Sequence, residues 1–181
     1  MIYKQPLCSI QAYGDVSPRF GEGTFIADGA RVIGDVESGA DVSYWFNVTV
    51  RGDCNWIKIG PRTNIQDNTV IHVTYKTGPV TIGEEVTIGH SAVIHACTIG
   101  DRCLIGMGAV ILDGAVIPDN CVVAAGSTIP PGKTYEPGSL ILGAPAKAVR
   151  SLKPEEIADL EASYKRYIKY KSQYISDLQS K

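Results

Sequence analysis

The chain contains three histidines, His72, His90 and His95, and all of them fall in one short stretch. Neutral imidazole binds divalent zinc, iron or cobalt, with zinc–nitrogen distances of about 2.0–2.1 Å. Three imidazoles on one ion leave a fourth position for water or substrate, which marks a catalytic centre and not a closed structural one. A histidine met singly on a protein surface is usually just solvated. Whether these three converge depends on the elements that carry them.

Those elements are written as a period of six. Ile59, Ile65 and Ile71 keep this step, as do Ile82, Ile88 and Ile94, then Ile99, Ile105, Ile111, Ile117 and Val123, with Val36, Val42 and Val48 upstream. A compact side chain stands two places before many of them, as at Thr63, Thr69, Ala92, Cys97, Cys103, Ala109 and Cys121. Such a period fits neither an α-helix nor simple strand alternation. It predicts an all-β solenoid of very short parallel strands, three per turn, stacked about 4.8 Å apart into a triangular prism with aliphatic residues inside. The pattern resembles the left-handed parallel β-helix of hexapeptide-repeat proteins over roughly residues 10–130.

The prism places the histidines. His72 directly follows Ile71 and His95 directly follows Ile94. With a short loop bulging out around Gly78 and Pro79, the two are one full turn apart. They then stack on successive rungs of one face and point outward, because their neighbours point in. His90 follows Ile88 by two, near another corner, and a rigid prism cannot bring it round to the same face. It would complete the site from a neighbouring molecule, and a threefold arrangement would create three identical sites. The repeat from Ile94 to Ile99 is one residue short, an irregularity at His95 of the kind found where function demands it.

Past Ile129 the pattern changes. Pro130, Pro131, Pro137, Gly138, Gly143 and Pro145 read as a linker with turns. From Pro154, the residues Ile157, Leu160, Tyr164, Tyr167, Ile168, Ile175 and Leu178 form one apolar stripe at helical spacing, and Pro154, Glu155 and Glu156 suit a first turn. The expected organisation is a single domain: a prism with linker over 1–150, and over 151–181 an amphipathic helix folded back along it.

The 181 residues carry a net charge of −2, which suggests neither a nucleic-acid nor a membrane partner. No apolar run is long enough to span a bilayer and the start lacks a signal-peptide pattern, so a cytoplasmic protein is expected. Five cysteines with no C-x-x-C pair indicate neither a disulfide framework nor a cysteine zinc site.

The segments W-F-N-V-T-V-R-G-D, T-N-I-Q-D-N-T-V-I-H, I-G-H-S-A-V-I-H-A-C-T-I-G and G-M-G-A-V-I-L-D-G-A resemble those of gamma-class carbonic anhydrases. The resemblance implies a homotrimer in which His72 and His95 of one subunit and His90 of the next hold Zn2+, with Fe2+ or Co2+ as alternatives, and a substrate of carbon dioxide or bicarbonate. It implies that Arg51 pairs with the acids Asp53 and Asp67 across the interface, and that Gln66 lies beside the metal-bound water. Asn64 falls in the same matching stretch and is grouped with the catalytic residues. Tyr167 is similar to a tyrosine of the family's C-terminal helix that points at the metal, with Tyr164 as its rival. A centre of this kind acidifies water from a pKa of about 15.7 to about 7, making hydroxide available near neutrality. The glutamates that shuttle protons in the best-characterised type are missing from the loop V-T-Y-K-T-G-P after His72, and Glu84 and Glu85 are expected to face solvent elsewhere. The same fold serves acyltransferases, which share the tail G-A-P-A-K-A-V-R. Hydrolysis of a small ester or thioester, a trimeric scaffold and a metal carrier are the other readings.

Overall fold

Short strands can make a core only if each is hydrogen-bonded above and below and hides one side chain. The computed structural model, which describes residues 1–180, does this as a left-handed parallel β-solenoid of about eight turns followed by one helix. Its first face runs from Tyr3–Lys4 through Ser43–Tyr44, Asn64–Ile65 and Thr87–Ile88 to Ser139–Gly143. The second carries Val70–His72, Val93–His95 and Val110–Ile111 in direct succession. The third carries Val80–Ile82, Thr98–Ile99 and Val116–Ile117. Two longer strands, Arg31–Ser38 and Thr49–Ile59, continue round the corner from the second face to the third.

The six-residue aliphatic positions are the interior: Ile65, Ile71, Ile88, Ile94, Ile105, Ile111 and Ile117 are fully buried. Removing one of these side chains to alanine costs about 2–5 kcal/mol in a packed core. Cys97, Cys103 and Cys121 are buried at the narrow corners. Burial pushes the Cys97 and Cys103 thiols up to about 12, so they act as compact apolar packing.

The segment expected as a linker is more ordered than its prolines suggested. Ser139–Gly143 continues the first face by parallel pairing on Val122–Val123, and Ala146–Ser151 folds back antiparallel on it. This hairpin covers the last rung and delivers the chain to the helix Pro154–Gln179; Lys181, within the expected 151–181 unit, lies outside the described residues. Glu156 fastens the junction, accepting from Arg150 Nη1 at 2.7 Å and from the Lys153 backbone N–H at 2.8 Å.

The helix lies across the first face, against Ser43–Tyr44 and Thr87–Ile88. Trp45 is its main contact, with ring centroids 5.7 Å from Tyr167 and 5.4 Å from Tyr174. Of the expected stripe, Leu160 and Tyr164 are buried but Ile157 is exposed. Ser163 and Lys171 take buried places that a purely apolar stripe would not assign. Lys171 reaches under the helix to donate to the Gly23 carbonyl at 2.9 Å and to Asp41. Among the described residues no helix is long and apolar enough to cross a membrane.

Lys171→Ala removes both bonds while water takes over the half-exposed Asp41, and the helix is expected to lose about 1 kcal/mol of docking stability, read as faster amide exchange over 154–179 with the prism protected. Glu156 has its carboxyl held at about 2, by the Arg150 hydrogen bond first and the Lys153 backbone second. Its folded pKa lies below the usual value of about 4.3, so its contribution is present above that pH and fades as pH falls toward 2. The Tm gap between wild type and Glu156→Gln should therefore narrow over that window, and a gap constant with pH would show that the pair contributes nothing.

Candidate metal centre

Strand register builds the second face into two stacked imidazoles. Arg51 pairs in register with His72, and His72 with His95, on three consecutive rungs. Because Ile71 and Ile94 point inward, the histidines point out. His72 Nδ1 lies 3.3 Å from His95 Nε2. Two nitrogens bound at about 2.0–2.1 Å to a tetrahedral ion are about 3.3–3.4 Å apart. The pair therefore has the separation of two ligands on one ion.

A carboxylate sets each ring. Asp53 Oδ1 accepts from His72 Nε2 at 3.0 Å, and Asp113 Oδ1 accepts from His95 Nδ1 at 2.7 Å. With those nitrogens as donors, the two facing each other present lone pairs, an arrangement that a cation between them, a metal ion or a proton, relieves. Burial works to raise the Asp53 carboxyl, but hydrogen bonds from His72 and Arg51 prevail and hold it at about 2. Asp113 is lowered chiefly by its hydrogen bond from Thr74, with His95 adding to it against burial.

Asp113 and Thr74 were not singled out from the sequence. Asp113 stands two places after Ile111, one rung above Ile94, as Ala96 stands two places after Ile94. Counting one turn on from the histidine corner would have found it. The loop after His72, expected to contribute no carboxylate, supplies Thr74, whose hydroxyl holds Asp113. Ala96 makes the shortened corner possible with φ of 46°, a left-handed conformation costing roughly 1–2 kcal/mol for a non-glycine residue.

His90 stands apart on the corner between the first two faces, and its Nδ1 lies 2.7 Å from Asp67 Oδ2. Asp67 is thus the acid nearest His90 in this contact, whereas Arg51 pairs with Asp53 inside one chain. Among the described residues the three-donor group within 4.8 Å is Asp53, Cys54 and His72, not the three histidines. Its donors are poorly suited: Arg51 and His72 occupy Asp53, and the Cys54 thiol is pushed up by burial first and Asp53 next, away from the thiolate a metal needs.

On the His90 side lies a cavity lined by Gln66, Gly89, Met107 and Tyr167. Gln66 is buried, and its Nε2 donates to Asn64 Oδ1 at 3.2 Å. Asn64 Nδ2 in turn donates to Thr87 Oγ1 at 2.9 Å, and Thr87 meets Ser163 of the helix at 3.1 Å. The Asn64 amide thus links Gln66 to the neighbouring rung. Tyr167 lines the cavity, and burial first, then Asp67, raises its hydroxyl pKa. Tyr164 is buried instead against Glu85. Glu84 and Glu85 are not free solvent groups: Arg62 pairs with both, and the Glu85 side chain is only 15% exposed.

These features define a hexapeptide-repeat protein with two histidine clusters on adjoining surfaces. Family models agree: bacterial transferase hexapeptide (six repeats) matches residues 96–131, and hexapeptide repeat of succinyl-transferase matches 79–111. The chain is 45% identical over 172 residues to Protein YrdA of Escherichia coli, covering 92% of this chain and 94% of that one. It is 40% identical over 170 residues to a carbonic anhydrase of Geobacillus kaustophilus, covering 94% and 92%. The crystal structure of the Bacillus cereus BC4754 gene product, which carries an acetyltransferase name, superposes with a TM-score of 0.91 at 37% identity over 94% of this chain and 98% of that one. The chain belongs to the gamma-carbonic-anhydrase-like family of hexapeptide-repeat proteins.

Removing Asp113 frees the His95 ring. Asp113→Ala is expected to weaken zinc binding about 10–100-fold, measured by competition with a chromophoric chelator on protein shown by its Tm to remain folded.

Proposed function

We propose that the protein is a metal-dependent carbonic anhydrase working as a homotrimer, with His72 and His95 of one subunit and His90 of the next on each of three ions. The observation that carries this reading is the 3.3 Å separation of the His72 and His95 nitrogens, each ring backed by its own carboxylate. A second supports the assembly. Val70 and Val93 pair across successive rungs on the outward side of the histidine face, and both are more than a third exposed. Outward valines beside a half-built ligand set suit a face covered by a second copy.

Relatives named as carbonic anhydrases imply a metal cofactor, and three imidazoles suit Zn2+, Fe2+ or Co2+. Such an ion, when bound, supplies Lewis acidity that brings a water pKa to about 7. The remaining work belongs to the chain. Asp53, Asp113 and Asp67 hold the three rings, and the Gln66 amide, fixed through Asn64 and Thr87, orients water or bicarbonate beside His90. Tyr167 closes that side of the cavity. No histidine remains outside this set to serve an acyltransferase as general base.

Stopped-flow carbon dioxide hydration on protein purified without oxygen, with metal quantified on the same sample, tests the reading. Activity should scale with one ion per chain, and a fully metallated trimer without hydration would overturn it. His90→Ala should lose metal as fully as His72→Ala. Mixing the two variants should restore about a quarter of the sites, because each supplies the half the other lacks; full metal retention by the His90 variant alone would sink the shared centre.

A further inference from the structure

A second cavity opens where the repeat is interrupted beside the histidine face. The strands Arg31–Ser38 and Thr49–Ile59 pair at Gly34 with Gly52 and again at Val36 with Ile57. Asp35 alone on one strand therefore faces Asp53, Cys54, Asn55 and Trp56 on the other. Bulges of this kind re-aim side chains, often beside active sites. Here the bulge carries Asp53 to His72, and it also opens a hollow of 260 Å³ lined by Tyr13, Val16, Asp35, Asp53 and Trp56. At about 30 Å³ for each water-sized group, this holds on the order of nine non-hydrogen atoms. The walls are aromatic and acidic. Tyr13 is 58% exposed, on a turn whose ends, Tyr13 and Val16, exchange backbone hydrogen bonds. Trp56 is half-buried and already draws a cation, with Lys58 Nζ 5.1 Å from its ring centroid. Arg51 balances Asp53. Arg19 is shared between Asp35 at 3.1 Å and Glu37 at 3.2 Å, so that trio keeps a net negative charge.

We propose that this hollow binds a small organic cation of the methylated-ammonium class, with Tyr13 and Trp56 as aromatic walls and Asp35 as counter-charge. Aromatic faces attract such cations, and the attraction grows as water is excluded. A purely apolar ligand would take water from the Asp35 carboxylate and return nothing for it. A bare divalent ion needs several free oxygen ligands, and Asp35 and Asp53 each already accept from an arginine. Asp53 couples the hollow to the histidine face, since the same carboxylate accepts from His72 at 3.0 Å. That coupling rests on the metal-centre reading above. A positive charge beside Asp53 offsets the field that favours a cation on His72, so ligand and metal oppose one another. The opposition is reciprocal, each weakening the other by the same factor. A quaternary ammonium has no proton to give, so it takes no part in the reaction and acts on metal occupancy alone.

Choline is the probe, and neohexyl alcohol, its uncharged carbon analogue, is the control. The chain has two tryptophans, so the indole N–H signals in NMR report the hollow at Trp56 and the helix packing at Trp45 separately. Choline titrated into metal-free protein should shift Trp56 and leave Trp45 in place, and the alcohol should bind about tenfold more weakly. Asp35→Asn and Tyr13→Leu should each weaken choline on the order of tenfold, in protein whose unmoved Trp45 signal shows the fold intact. Lys58→Met, which removes the competing cation from the Trp56 ring, should tighten it. Saturating choline should weaken zinc on the order of threefold at low salt, and zinc should weaken choline equally. An unmoved Trp56 signal, or equal affinity for choline and the alcohol, overturns the site. Zinc affinity independent of choline overturns the coupling. Loss of zinc binding altogether with the Trp56 shift intact overturns the metal-centre reading and leaves the cation site standing.

Discussion

Parallel register is the constraint from which the rest of this molecule follows. Hydrogen bonds between rungs set Ile94 directly over Ile71, and the inward aliphatic at each rung forbids a slip, since a shift of one residue would turn the whole row to solvent. Once that pairing is fixed, His95 must lie over His72 and both must face out. The 3.3 Å contact between their nitrogens is thus a consequence of core packing, not of any local preference of the histidines. A solenoid holds such a pair more rigidly than a loop would, because both backbones are tied on two sides.

The same rigidity explains why the three histidines are divided. A prism cannot bend His90 round its corner, so one chain carries two separate clusters. One holds His72 and His95 with Asp53 and Asp113; the other holds His90 with Asp67, near Gln66 and Tyr167. In each, a carboxylate lies within 3.0 Å of a ring nitrogen. The exposed Val70 and Val93 lie beside the first cluster.

The helix connects packing to chemistry. Its Ser163 meets Thr87, Thr87 accepts from Asn64, and Asn64 accepts from Gln66, so the buried carboxamide is positioned from the far end of the sequence. Lys171 and the rings about Trp45 keep that helix seated. Where its cover ends, the cavity walled by Leu104 and Met107 begins.

The sequence by itself determined the solenoid, its interior and the stacking of His72 and His95, because a six-residue period is a local pattern that admits one packing. It also carried the separation of His90, by counting repeats. It did not reveal the cap at 139–151, where Pro145 and the preceding Pro137 mask pairing with an earlier rung, nor that Lys171 turns inward from an otherwise polar helical position. The partners of the charged and polar side chains were decided only by tertiary structure. Asp113 reaches His95 from the next turn, Thr74 holds it from an excursion off the repeat, and Arg62 takes up Glu84 and Glu85. Such pairings join residues about twenty to forty apart in the chain. Their geometry depends on corner conformations and loop paths, such as the left-handed Ala96, that no periodicity encodes.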